Sequence, residues 1–497
     1  MTGGTLTMLI PSDPGNLDPL TTVTSVTRDL DFFAYDPIVN LEPSGKLVSG
    51  LATAWQQSGS TYTFTIRRGV TCSDGSAMTA STVAANINYL SNPKNKSPLL
   101  GVFIAPGAKA TADAATSKVT ITLAAPFPFF LEDLTQVGLA CAKGLSNPSL
   151  LADGTDGSGP YRLTSSTAGQ QYTFSVRHGY AWGPGGATTK PAGIPAKIVV
   201  KVVSDLTTEA NLLLEGQANL ASVQGLASKP LSAARVASKD AGVVPLGELW
   251  FNQGTGHATA DQLVRQAILT ALDLPQVGDV LGQGLGSKAT GMVTVAPKAC
   301  PGDTITGLLP AYDQTKAAAL LDQAGWKTGP GGIRAKGGKQ LKLTLLYASD
   351  TGGDPASAFE LAAQELKKVG VQVQLTGETT TQLESVIFGT GNWDLVNVPL
   401  GVNTPNAAAP FVSGPAAPSG ENFSHIDNTA YTSLAAKATA LPGTSGCADW
   451  NQAEQQLFRA ADVVPFENAS EPLWAKGATF QTVTGIIEPT SLRLVKG

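Results

Sequence analysis

Three stretches in the first half of the chain alternate with a strict period of two: Thr61-Tyr-Thr-Phe-Thr-Ile-Arg67, Lys118-Val-Thr-Ile-Thr-Leu123 and Gln171-Tyr-Thr-Phe-Ser-Val-Arg177. A strand turns successive side chains to opposite faces, so this pattern describes strands with one face on a core and one toward water. Between the first two lies Thr79–Leu90, an amphipathic stretch that Thr79 is placed to cap as a helix. A short apolar run, Leu6–Ile10, breaks at the turn-rich Pro11–Pro19 and starts a sheet. Later the pattern changes: helices are predicted at about 259–273, 313–325, 354–369 and 427–440, alternating with strands at 341–347, 371–376 and 394–398. That alternation belongs to an α/β unit with parallel crossovers.

At 497 residues the chain is several times a usual domain of roughly 100–200 residues, so two or three units are expected. Its 54 glycines and 32 prolines imply many loops, but 42% apolar residues provide for a core. Lys and Arg number 33 against 38 Asp and Glu, and charged residues make up only 14%. With no basic run or stripe, a nucleic-acid or anionic-membrane partner loses its support. No stretch reaches about 18 consecutive apolar residues, and no charged region with an apolar segment precedes Gly3. An exported chain is therefore expected here in its mature form.

Cys72, Cys141, Cys300 and Cys447 contain no C-x-x-C pair, against a zinc knuckle or a thioredoxin-like centre. Two disulfides in an oxidising compartment are favoured over four buried inert thiols.

Motifs for chemistry fail on their details. Three histidines, His178, His257 and His425, are far apart and supply a metal site or proton relay poorly. No G-x-S-x-G elbow exists, and Ser91-Asn-Pro-Lys94 carries a proline that breaks the helix needed to align serine with lysine. Gly325–Lys339 is glycine-rich but misses the phosphate-loop spacing, with Gln340 where a hydroxyl belongs, and reads as a solvent hairpin before the next strand. Counting from Asp153, the twelfth position is Thr164 rather than the glutamate of a calcium loop.

Several blocks taken in order carry a resemblance. They are Tyr62–Ala80 with its Ser73-Asp-Gly75 turn, Gly157-Ser-Gly-Pro-Tyr-Arg-Leu163, Arg177-His-Gly-Tyr-Ala-Trp182, Leu249-Trp-Phe-Asn-Gln253, Asp261–Asp273 and Tyr312–Gly325. Together they resemble the oligopeptide/dipeptide-type (family 5) extracellular solute-binding proteins of ABC importers, with His178 departing from the usual asparagine. On Asp261–Asp273, Val264, Ile268 and Leu272 with Ala267 and Ala271 make a helix face for a core.

The resemblance implies an α/β, two-lobed periplasmic-binding-protein-like fold with an extra inserted subdomain and a hinge between the lobes. Lobe I is implied at 1–37, 158–248 and 466–497, the insert at 38–157 and lobe II at 249–465. It further implies Cys72–Cys141 and Cys300–Cys447 bridges, each within a lobe, leaving the hinge free. The function implied is capture of a small solute, an oligopeptide or similar, for delivery to a membrane permease. No enzymatic activity, cofactor or metal is expected, and the receptor is taken as a monomer, periplasmic or lipid-anchored at the cell surface.

By the same resemblance the ligand is reached by Asn16, Ser25 and Val26, by Ser222, Val223 and Gln224, by Trp250, Phe251 and Asn252, and by Gly401 and Asn403. Trp250 or Trp393 is a candidate to stack on a ring, and Trp250→Ala is expected to weaken binding without unfolding the protein. Peptide-binding members place an aspartate about where Asn403 stands. An amide supplies a hydrogen bond without the charge that offsets burial of an ammonium. Oligosaccharides, opines and other polar solutes are therefore alternatives, as is a ligand-sensing role.

Overall fold

The apolar N-terminal run forms strand β1 (Thr5–Ile10), followed by helix α1 (Ser25–Ala34). The period-two segments become β3 (Thr61–Ile66), β5 (Lys118–Thr122) and β7 (Gln171–Val176). Around them lie β2 (Ala52–Ser58), α2 (Ala80–Leu90), β4 (Lys109–Asp113), β6 (Tyr161–Thr167), β8 (Lys197–Val202) and β9 (Leu220–Ser222). The computed structural model describes residues 3–152, 154–350 and 353–495. Asp153, the start of the calcium-loop comparison, lies outside the described residues, as does the side chain of Ser25.

The chain divides into two compact units. The first comprises Met1–Val223, Ala227–Gly242 and Glu471–Gly497. Its main sheet, part of an eight-stranded whole, contains the run β9-β1-β8-β7-β6, with β1 parallel to both β8 and β9 and the other pairs of this run antiparallel. Leu6 and Leu30 with Phe33, Tyr161, Phe174 and Ile198 form its core. A smaller antiparallel sheet, β2-β3-β5-β4, has α2 packed on β4. Tyr62, Phe64 and Ile66 point inward from β3, as the alternation requires. Thr79 caps α2 by accepting the Thr82 N–H at 3.2 Å.

Two glycines of the Gly157–Leu163 block have a packing reason. A Cβ on Gly157 would stand 2.2 Å from the Ala34 carbonyl oxygen, and one on Gly159 2.4 Å from the Ala34 carbonyl carbon. This close approach fixes the end of α1, where the Gly159 N–H donates to Ala34 O at 2.8 Å. The same block and Arg177–Trp182 then close around Asp36: its carboxylate receives the Tyr180 hydroxyl at 2.6 Å, the Ser158 hydroxyl at 2.7 Å and the Trp182 indole N–H at 2.9 Å.

The second unit, Gln224–Leu226 and Val243–Ser470, contains β10 (Glu248–Phe251), α3 (Gln262–Ala271), α4 (Gln314–Gln323), β11 (Lys342–Ala348), α5 (Pro355–Lys368), β12 (Gln372–Glu378), β13 (Leu395–Val398), α6 (Pro405–Val412), α7 (Cys447–Arg459) and β14 (Val463–Pro465). Its sheet runs β12-β11-β13-β10-β14. The three strands read from the sequence are parallel, whereas β10 and β14 extend the sheet antiparallel.

Val264, Ala267, Ile268, Ala271 and Leu272 are all buried in this unit's core. The helix expected at 259–273 is bounded more tightly, because Asp261 caps α3 and Asp273 caps a separate helix, Leu274–Leu281. The glycine-rich 325–339 segment is a small three-stranded sheet rather than a plain solvent hairpin. Its Arg334 is buried and donates to Asp322 at 2.9 Å, Trp326 O at 2.6 Å and Val369 O at 2.8 Å. Cys72 is bridged to Cys141 in the first unit and Cys300 to Cys447 in the second, as implied.

Candidate functional site

In the first unit, the segment before α1 is folded by its own polar side chains. Asn16 Oδ1 accepts the Asp18 N–H at 2.9 Å, and Asp18 Oδ1 accepts the Leu20 N–H at 3.0 Å. Val26 is half-buried against the core. Ser222 ends β9 with its hydroxyl oxygen buried and without a hydrogen-bond partner. Val223 is fully buried, its carbonyl accepting the Trp474 indole N–H at 2.9 Å. Gln224 is half-buried and is grouped with the second unit.

In the second unit, Trp250 is fully buried on β10 and donates its indole N–H to Val398 O at 3.1 Å. Phe251 points into the core. Asn252 is saturated: its amide donates to Gly391 O at 3.1 Å and Trp393 O at 3.0 Å, while its oxygen accepts the Gly254 N–H at 3.0 Å. Phe423 gathers the aromatic side chains, with ring centroids 4.9 Å from Trp250, 6.0 Å from Trp393 and 5.4 Å from Phe388. Phe388 is half-buried on a π-helical turn, Val386–Thr390, and such turns often occur at functional sites. Trp393 is 1% exposed, yet its indole N–H has no partner, and neither does the buried hydroxyl of Ser424.

Gly401 is exposed and Asn403 buried, on the approach to α6. Val402 O accepts the N–H groups of Thr294 and Val295, and Asn403 O accepts the Ala299 N–H at 2.9 Å, next to the Cys300–Cys447 bridge. The segment is thereby pinned.

The unit also holds unusual carboxyls. Burial, opposed by the Leu400 N–H at 2.9 Å, pushes Glu248 up to about 8. Burial and then the charge of Glu384 push Glu421 up to about 7. Asp394 binds His257 Nδ1 at 2.9 Å and the Thr344 N–H at 2.8 Å, which pins β11 beside β13. Among the described residues no group of three or more His, Cys, Asp or Glu is placed to hold a metal ion, and no helix is long and apolar enough to cross a membrane.

The sequence reading did not single out Ser424, Phe423, Phe388 or the α1 residues Arg28 and Asp31. Only Asp31 left a trace, as an acid between Leu30 and Phe32-Phe33.

The family model described as bacterial extracellular solute-binding proteins, family 5 Middle, matches residues 46–417. Protein XP55 of Streptomyces lividans is 28% identical over 394 residues, covering 76% of this chain and 67% of its own. The periplasmic murein peptide-binding protein MppA of Escherichia coli K12 is 26% identical, covering 98% and 92%. Among solved structures, a substrate-binding protein of Microbacterium hydrocarbonoxydans complexed with 4-hydroxybenzoate hydrazide is 26% identical with a TM-score of 0.84, covering 99% of this chain and 100% of that one. The chain belongs to the family 5 bacterial extracellular solute-binding proteins, the substrate-binding components of ABC importers.

Proposed function

We propose that this chain captures a small polar solute outside the cytoplasm and hands it to a membrane permease, without covalent chemistry. One observation carries the reading: within the second unit Trp393 Nε1 and Ser424 Oγ are buried without partners, and Trp393 is one of the two tryptophans expected to meet the solute. Leaving such a group unmade costs about 1–3 kcal/mol, a cost that a bound solute removes. An indole N–H only donates, so the solute presents an oxygen acceptor to Trp393. The Trp250–Phe423–Phe388 cluster beside it supplies an apolar surface for the rest.

A peptide, a saccharide and an opine all meet these demands, and relatives named above take a murein peptide and an aromatic hydrazide. The chain passes between its two units after Val223, Leu226, Gly242 and Ser470. The test is calorimetric titration with peptide and oligosaccharide pools of wild type, Trp393→Phe and Ser424→Ala. Each variant is expected to lose about tenfold in affinity while melting no lower than wild type, since each discards an unsatisfied polar atom. Unchanged affinity in both variants would remove the observation on which this reading stands.

A further inference from the structure

The first unit carries a cavity of its own, of about 60 Å³, where the end of α1, the short strand Val39–Leu41 and the C-terminal hairpin meet. A cavity needs roughly 10–15 Å³ for each water, so this one has room for about four to six waters, or for one small ring. Every residue around it belongs to the first unit, and none of them is among the residues argued above to meet the solute. Phe32, Pro37, Pro160 and Ile486 give it apolar walls.

Nearly all the polar groups that line the cavity are already used. Asp36 has its three donors, and Glu488 accepts the Thr490 N–H at 3.0 Å and the Thr490 hydroxyl at 2.7 Å. Gln136 gives its oxygen to Arg28 Nη2 and donates its amide to the Thr135 hydroxyl at 3.0 Å. No Lys or Arg lines the cavity. Asn40 differs: it is half-buried, and among the described residues its side-chain amide has no hydrogen-bond partner. Gly50 makes room for that amide, since a Cβ there would stand 2.2 Å from Asn40 Nδ2. A carboxamide offers both a donor and an acceptor but no charge. An ion entering here would lose water and find no free counter-charge, whereas a neutral polar group would find a partner.

One wall is the hairpin that pairs Thr482–Val483 with Ile486–Ile487, turned through Thr484 and Gly485 at φ of 51° and 80°. A two-residue turn of this kind needs both values positive, which a residue branched at Cβ such as Thr484 resists. Its hydroxyl donates to Val483 O at 2.7 Å and accepts the Gln136 amide at 3.4 Å, which ties the tip of the hairpin to the far edge of the cavity lining. Positions strained in this way gather at ligand clamps. We propose that the cavity is a second binding site, in the first unit, for a neutral molecule of one small ring whose amide or hydroxyl pairs with the Asn40 side chain. This goes beyond the solute-binding reading and does not depend on it.

The experiment titrates the full chain, labelled at its isoleucine methyl groups, with pyrrolidone, pyrrolidinium and cyclopentanecarboxylate, rings of one size that differ in charge. The Ile486 methyl resonance, assigned by its loss in Ile486→Val, reports on the cavity. Pyrrolidone is expected to shift it saturably at millimolar concentration, and the two ions to bind at least about tenfold more weakly. Asn40→Leu gives up no hydrogen bond within the protein, so it should melt no lower than wild type while binding pyrrolidone at least about tenfold more weakly. Trp393→Phe should bind pyrrolidone as wild type does, whatever it does to the solute. The assignment is overturned if pyrrolidone leaves the Ile486 resonance unmoved, if the ions bind as well as the lactam, or if Asn40→Leu keeps its affinity. A lower melting point in Asn40→Leu would also overturn it, because the amide would then be in use by the fold.

Discussion

Trp250 and Trp393 are the same residue type, both buried and both in contact with Phe423, yet one indole N–H is used by the protein and the other is not. No local sequence signal separates them, because the acceptor for Trp250 is the carbonyl of Val398, 148 residues away. The expectation that Trp250→Ala spares the fold meets a ring that is fully buried. Truncating a fully buried indole in the sheet centre should cost about 3–5 kcal/mol, read from chemical denaturation; a loss below about 1 kcal/mol would place the ring outside the core.

Glu248 carries a pH prediction. Its folded value of about 8 lies above the ordinary 4.5, so the folded protein retains a proton that the unfolded chain releases first. Stability from this group is full below about 4.5 and declines as pH rises toward 8. Glu248→Gln keeps an oxygen for the Leu400 N–H without the charge. It should match wild type near pH 5 and exceed it by on the order of 2 kcal/mol at pH 9. An equal difference at both pH values would contradict this account.

At the scale of elements, the sequence was most legible where periodicity and caps act locally. The strands at 61–66, 118–122 and 171–176 and the Thr79-capped helix needed nothing beyond their own residues. The break between α3 and the Leu274–Leu281 helix was hidden because the apolar pattern runs through it and only Asp273 marks the new start. Likewise, β14 is three residues long and is defined by pairing with β10. The candidate site was legible as segments but not as atoms: the unpartnered hydroxyls and indole depend on what long-range packing fails to supply.

The disulfides belong to this scale, spanning 69 and 147 residues within their own units. Closing loops of that size removes about 4–5 kcal/mol of unfolded-state entropy each. Double Cys→Ser variants of either pair should melt lower yet still bind solute at 20 °C. An unchanged melting point would show that the bridge constrains nothing.

For the whole molecule, two compact units and membership of the family 5 extracellular solute-binding proteins describe a receptor for a solute. A solute that binds only the folded state must raise its melting point by mass action, about 2.7 kcal/mol of stabilisation at a hundredfold excess over Kd. The most direct test is native mass spectrometry of gently purified protein, followed by denaturation and identification of anything released. The account predicts one small polar molecule per chain, lost on unfolding and restoring the higher melting point when added back. A bare chain whose melting no peptide, amine or saccharide pool shifts would contradict it.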